Sequence, residues 1–338
     1  MRLIIFILFL FGSILAKGQD AVFSQFTNTT IMVNPAITGN YMGVVRTTLN
    51  QRMQWAGFGL PYNSTILTVD KSLRRKGSRR DRISYGAYFV RDGAFTVDRI
   101  EWTQVSASLG FHKQIWRKKK QYKFLGIGAQ MGTASRKSAV DDFSFDSQIT
   151  PNGIDQNIVS GENFFREAFS YPTLNIGLLL VHADSSLKRP VLSWKVGYGL
   201  FNAVPAKEAV TSINTQKLSP RQNFNAGAIF YFKGTKLFLK TDVLFTVQRN
   251  AHMMRTQVML DYWYSRKYAF LAGFNLNVTR SWGPCVGVGF RNVNIIYSFD
   301  MRKSNFGTHS SSEITLIYLN PMPGREKLFA LRAGDARL

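Results

Sequence analysis

Cysteine is nearly absent from this 338-residue chain. Cys285 stands alone, which excludes an intramolecular disulfide or a zinc knuckle as a staple of the fold. Histidine is scarce too: His112, His182, His252 and His309 are scattered, with no HExxH pair, no paired ligands and no GxSxG turn, so no metal or hydrolase chemistry is expected. Acidic residues are few, 20 against 43 Lys and Arg, for a formal net charge of +23. Past the N-terminus no segment reaches 18 apolar residues, so no membrane-spanning helix is expected there. Disorder is excluded as well, because 27 Phe, 13 Tyr and 6 Trp, 14% of the chain, supply apolar surface that disordered chains lack.

What is present begins with a targeting segment. Arg2 supplies positive charge, Leu3–Phe11 is an apolar run, and Ala16-Lys17-Gly18 offers small residues at a cleavage site. Residues 1–18 therefore read as a secretory signal peptide. No Cys follows the cleavage site, so lipoprotein anchoring is not expected. A secreted destination also turns the basic charge away from nucleic acid.

The body alternates with period two. Tyr268, Phe270, Ala272, Phe274 and Leu276 share one face of a strand, and Ala269, Leu271, Gly273, Asn275 and Asn277 share the other. Met254, Val258, Leu260 and Tyr262 oppose Arg255, Gln257 and Asp261. A soluble sandwich and a transmembrane barrel both give such a pattern. The runs are long for soluble strands, usually about 5–6 residues. They suit tilted membrane strands of about 9–11, and the strand ends are rich in aromatics. Only a closed barrel satisfies every β-sheet backbone group in lipid.

The expected fold is all-β: a transmembrane antiparallel β-barrel of about 14 strands with an N-terminal plug-like segment. Strands are expected near 42–53, 62–71, 82–91, 101–115, 121–133, 170–183, 190–202, 221–232, 235–248, 253–265, 267–278, 283–290, 292–301 and 311–319. The chain then divides into a signal peptide (1–18), a plug or lid (19–41), an integral outer-membrane barrel (42–319) and a basic C-terminal tail (320–338). An even strand count puts both ends in the periplasm, and the longest connections, 134–169 and 203–220, fall on the opposite side. The expected short periplasmic turns carry much of the basic charge, including Arg74, Arg75, Arg79, Arg117, Lys118 and Lys119. That rim suits an acidic partner or anionic headgroups, or is simply a set of solvated turns. Arg52, Lys240, Asp242, Arg255 and Asp261 point inward, to line a pore or to pair with one another. Asp141, Asp142 and Asp146 match no calcium loop, and Cys285 reads as a small apolar filler.

Within 19–41, Pro35 fixes its own φ and pushes Asn34 to an extended conformation. Gly39 permits the positive φ needed before the first strand. Phe23, Phe26, Ile31 and Val33 are expected to pack inside, the alternative being a loose periplasmic tail. Trp55 and Phe58, flanked by Gly57 and Gly59, suit either an interfacial aromatic belt or contact with a partner.

Ordered motifs carry a resemblance. They are Phe23-Ser24-Gln25-Phe26, Val33-Asn34-Pro35-Ala36 with Gly39, Arg52-Met53-Gln54-Trp55-Ala56-Gly57-Phe58, Tyr297-Ser298-Phe299-Asp300, and Gly307-Thr308-His309 with Glu313 beyond it. This set resembles the PorP/SprF family of outer-membrane proteins of the type IX secretion system, over residues 19 to 319. Two features depart from it: Ser310-Ser311-Ser312 interrupts the last motif, and residues 320–338 follow the last strand.

The resemblance implies a non-enzymatic component without cofactors that helps secrete or anchor cargo, such as gliding-motility adhesins at the cell surface. It implies partners in the cargo C-terminal domain and in periplasmic secretion or peptidoglycan-associated proteins, beside outer-membrane lipid. Asn34, Pro35, Gly39, Arg52, Trp55, Gly57 and Phe58 then form an N-terminal motif, structural or partner-binding, with Asp300, Gly307 and His309 as its C-terminal counterpart. The alternative function is a plugged barrel transporting a hydrophobic or small solute.

Overall fold

The computed structural model describes residues 23–41, 43–55, 61–74, 81–94, 100–138, 146–151, 153–155, 157–158, 168–184, 191–205, 207–208, 216–232, 234–265, 267–278, 281–304 and 307–320. The expected signal peptide, the tail beyond Asn320, Gly57, Phe58, Arg75, Arg79, Asp141 and Asp142 lie outside the described residues.

Fourteen strands close into one antiparallel barrel. They are β1 (Val45–Gln54), β2 (Tyr62–Arg74), β3 (Arg82–Ala94), β4 (Ile100–Lys118), β5 (Gln121–Ser138), β6 (Ala168–Asp184), β7 (Val191–Phe201), β8 (Arg221–Tyr231), β9 (Leu237–Gln248), β10 (Ala251–Trp263), β11 (Tyr268–Asn277), β12 (Ser281–Phe290), β13 (Val293–Ser304) and β14 (Gly307–Asn320). Each strand pairs with its sequence neighbours, and β14 closes on β1 from Val45↔Asn320 to Gln54↔Ser311. Closure leaves no sheet edge with unpaired backbone groups. Among the described residues there is no α-helix.

Alternation decides the two faces. Leu109 (64% exposed), Met131 (67%), Phe270 and Val286 point out. Ser106, Ser108, Gln130, Asn175, Asn225 and Gln257 point in and are buried. The barrel is thus inverted relative to a soluble core: apolar outside, polar within. Exposed aromatics gather toward both ends of the wall, with Tyr262, Tyr268, Phe290 and Tyr318 near one and Trp55, Phe224, Phe274 and Trp282 near the other.

The start of β1, the end of β14 and the connections β2–β3, β4–β5, β6–β7, β8–β9, β10–β11 and β12–β13 share one end, here the turn end. The connections 139–167 and 202–220 share the other, the loop end. The loop-end connections include two short ribbons, Ile149–Thr150 with Gly153–Ile154 and Lys207–Glu208 with Gln216–Lys217.

All fourteen expected strands exist, and several run further than expected. β4 and β5 continue to a two-residue turn at Lys119-Lys120, so Arg117 and Lys118 are strand residues rather than turn residues. A register shift between Gln114 and Trp116 lets that ladder continue. The motif Gly307-Thr308-His309 also lies in a strand, with His309 opposite Arg302.

Candidate functional site: the segment inside the barrel

Residues 23–41 are almost entirely buried. They form two single 3-10 turns, Thr30–Met32 and Pro35–Ile37. The second starts as the sequence dictates. Asn34 is extended (φ −159°, ψ 122°), Pro35 takes the first helical position, and Asn34 Oδ1 accepts the Ala36 N–H at 2.9 Å. Such a cap is worth about 1 kcal/mol.

A row of glycines receives this turn. Gly110 of β4, Gly128 of β5, Gly177 of β6 and Gly199 of β7 are direct cross-strand partners. A Cβ on Gly128 would meet Pro35 and Ala36, and one on Gly177 would meet Asn34 and Ala36. Their bare backbones let the segment lie against the wall. Lumen-facing side chains then take up its polar groups. Asn34 Nδ2 donates to Leu178 O (2.9 Å) and Asn225 Oδ1 (3.0 Å). The segment's carbonyls accept from Gln130 at Ile31, from Asn223 at Val33 and from His112 at Ala36, all within 2.9 Å.

The exit toward β1 is a charged corner. Gly39 has φ +70° and donates its N–H to Asp70 Oδ2 at 2.7 Å. Arg46 binds Asp70 through two hydrogen bonds of 2.9 and 2.8 Å. The Tyr41 hydroxyl donates to Asp70 O at 2.6 Å, and its ring lies 4.7 Å below the Arg46 guanidinium. Burial first, and then the Asp70 charge, holds the Tyr41 hydroxyl well above the usual tyrosine range.

The opposite end of the segment meets a carboxylate cluster. Glu313 accepts two consecutive backbone N–H groups, Ser24 at 2.7 Å and Gln25 at 3.0 Å, and Asn50 Nδ2 at 2.7 Å. Ser24 Oγ donates to Asp300 Oδ2, and Gln25 Nε2 donates to Ser298 Oγ at 3.1 Å. Arg52 lies 3.9 Å from Asp300 and 4.0 Å from Glu313. One guanidinium and several N–H dipoles thus balance two buried carboxylates, the condition for tolerating such charges.

Two further inward ion pairs form in the lumen. Lys195 meets Asp242 at 2.9 Å, and Lys240 meets Asp261. Arg255 Nη1 binds Phe23 O at 2.9 Å. At the turn-end half, Tyr41, Leu192, Phe238, Met259, Trp263, Leu271, Cys285, Ile296 and Leu319 form a continuous apolar cluster, and Cys285 is its small filler. At the loop end, Phe23, Phe26, Met32 and Val33 floor a pocket of about 40 Å³ that opens to solvent.

Arg52 and Asp300 therefore meet at one cluster, while Asn34, Pro35 and Gly39 lie along the segment's path. Trp55 sits apart at the loop-end rim, 43% exposed with φ 59° and 6.1 Å from the Tyr62 ring. Gly307 and His309 occupy the loop-end start of β14. Arg117, Lys118 and Lys119 are exposed at the turn end, where the last residue of β2 is Arg74. The sequence reading missed Glu313 as the centre of the cluster, and it missed the Arg46–Asp70 pair and the glycine row. Inward parity on β14 could have signalled Glu313. The glycine row had no local signal, since it exists only across strands.

No curated protein matches the chain. Among solved structures, the toluene transporter TbuX of Ralstonia pickettii is 13% identical, with 87% of this chain and 94% of that one covered and a TM-score of 0.46. The toluene transporter TodX of Pseudomonas putida is 9% identical (86% and 92% covered, TM-score 0.46). The monoaromatic hydrocarbon channel CymD is 12% identical (90% and 95%, TM-score 0.48). These similarities are too low to speak for a ligand. The family model described as type IX secretion system membrane protein PorP/SprF matches residues 15–318, and the chain belongs to that family.

Proposed function

We propose that the chain is a non-enzymatic outer-membrane component of type IX secretion, a plugged barrel that holds partners rather than passing a solute. The observation carrying this reading is the binding of residues 24–41 to the wall. Hydrogen bonds reach β13 and β14 at one end, β4, β5, β6 and β8 in the middle, and β2 at the other. Together with the apolar cluster across the turn-end half, this supports a stopper between the two sides. The aromatic rings near both ends and the apolar outer wall support placement in a membrane.

In this reading the turn end faces the periplasm. The exposed basic residues Arg117, Lys118, Lys119 and Lys120 at the β4–β5 turn meet periplasmic secretion or peptidoglycan-associated proteins. The loop end faces outward and meets the C-terminal domain of secreted cargo, such as gliding adhesins at the cell surface. Residues 1–18 serve as the signal peptide.

Affinity purification of a tagged form from detergent-solubilised outer membranes, with mass spectrometry of co-purifying chains, tests this. A large secreted protein, with or without periplasmic subunits, is the expected result. A lone barrel with co-purifying small ligand sinks it as the main role. A second reading, transport of a small or hydrophobic solute, draws support from the loop-end pocket. It requires measurable solute flux or conductance in liposomes carrying the native chain.

A further inference from the structure

The lumenal segment and β1 begin at opposite ends of the barrel. β1 starts at the turn end, beside the close of β14, where the Val44 N–H donates to Asn320 O at 2.9 Å. Phe23, the first described residue, lies in the loop-end half. Its carbonyl accepts from Arg255 Nη1. It also lines the pocket with Gln248, Ala251 and His252, which flank the β9–β10 turn at the loop end. From there the segment runs in one direction. Gln130 of β5 reaches Ile31 O, and Gly128, two residues nearer the turn end, lies under Pro35. Thr38 O accepts from Ser84 at 2.8 Å, and the Gly39 N–H reaches Asp70, both close to the turn end.

Length limits where the preceding residues can go. Cleavage after Gly18 leaves Gln19-Asp20-Ala21-Val22 ahead of Phe23. Four residues reach at most about 14 Å. From Arg255 to Trp263, at the turn end of β10, is about 26 Å along the strand, or about 20 Å along the barrel axis at the usual tilt. That path is also filled, by the segment itself and by the turn-end apolar cluster. The pocket mouth beside Phe23 is open. Ser24 and Gln25 are moreover held at the seam where the barrel closes. Glu313 of β14 takes their N–H groups, and Asn50 and Arg52 of β1 stand across the seam. Pairing of β14 with β1 thus completes the clamp around the start of the segment.

We propose that the mature amino terminus emerges at the loop end, opposite the end where the last strand finishes. Gln19–Val22 then form a short arm among the loop-end connections, on the face that meets cargo in the secretion reading. Cleavage of residues 1–18 and the outward facing of the loop end rest on that reading. A barrel whose two chain ends share the periplasm is the alternative, and it would need the start of the chain to double back through a filled lumen.

The test is labelling of intact cells with a membrane-impermeant maleimide, before and after the outer membrane is permeabilised. Three cysteine variants of the full chain are compared: Ala21→Cys, Asn157→Cys as the loop-end marker and Lys236→Cys as the turn-end marker. Both marker positions are exposed. The native thiol of Cys285 is buried and gives little background. Heat-modifiable gel migration confirms that each variant is a folded barrel. Ala21→Cys is expected to label on intact cells together with Asn157→Cys, and Lys236→Cys only after permeabilisation. An intact mass beginning at residue 19 is expected as well. Labelling of Ala21→Cys in step with Lys236→Cys, its protection from both sides, or retention of residues 1–18 overturns the proposal. Joint labelling of Ala21→Cys and Asn157→Cys only after permeabilisation upholds the loop-end exit and instead overturns the orientation in the secretion reading.

Discussion

The start and the middle of the buried segment are held by different physics. At residues 24–25 the grip is charge: Glu313 and Asp300 receive N–H and O–H groups, with Arg52 beside them. At residues 33–38 the grip is shape: Asn34, Pro35 and Ala36 press on glycine backbone with no room for a single extra carbon. A steric fit is short-ranged and fails at once when filled. A polar clamp degrades in steps as donors and acceptors are removed. The comparison teaches that one segment can be fixed rigidly at one point and adjustably at another.

The sharpest way to break the comparison is to fill the glycine row. The double change Gly128→Val with Gly177→Val places branched side chains where Pro35 and Asn34 lie. The segment is expected to leave the wall, or the barrel to stop assembling, since overpacking by even one side chain costs about 1–3 kcal/mol. A cysteine placed at Thr38, buried in the native chain, reports this as new reactivity to a maleimide. Unchanged protection of that cysteine in a folded barrel overturns the steric account.

Emptying the clamp should come next in size. Glu313→Ala leaves the Ser24 and Gln25 N–H groups without their acceptor and Arg52 without one carboxylate. The expected cost is about 3 kcal/mol, read as faster amide exchange at residues 24–25. Glu313→Gln keeps one acceptor oxygen and should cost less. Exchange in Glu313→Gln equal to that of the native chain would show that charge is not the grip. Asn34→Ala probes the shape end by a polar route: the cap and the bonds to Leu178 and Asn225 disappear together. About 2 kcal/mol is expected there, from the cap and one net hydrogen bond, with protection at residues 24–25 intact.

The smallest effect should lie at the corner between segment and barrel. Tyr41→Phe removes the bond to Asp70 O, a loss of about 1 kcal/mol at neutral pH. The folded hydroxyl titrates above its unfolded value, so its stabilisation is complete below the unfolded pKa and is lost as pH rises through the folded one. Thermal unfolding of the native chain should therefore weaken more steeply on the alkaline side than that of the variant. Parallel alkaline curves would remove the hydroxyl from the account.

Much of the barrel was legible in residues alone. The alternation in β10 and β11 placed Met254, Val258, Phe270 and Phe274 outside and Gln257, Asp261 and Asn275 inside, as found. Asn34-Pro35 and Gly39 announced their backbone conformations because those constraints are local. Phe23, Phe26, Ile31 and Val33 are each buried. The ends of β4, β5 and β14 were less legible, since polar residues such as Arg117, Lys118 and Ser310 continue strands through pairing that their own propensity does not signal. The motif residues Arg52 and Asp300 were recognisable, but nothing local said that they meet each other beside Ser24.

The sequence by itself determined the strand periodicity, the order and parity of the connections, and the turn at Asn34-Pro35. Each follows from local sterics and from which side chains prefer water. Only the tertiary structure decided that Ser24, Arg52, Asp300 and Glu313 share one cluster, and that glycines on four strands form one row. Both arise from barrel closure, because the register of neighbouring strands, and not distance along the chain, sets which lumen-facing groups stand side by side.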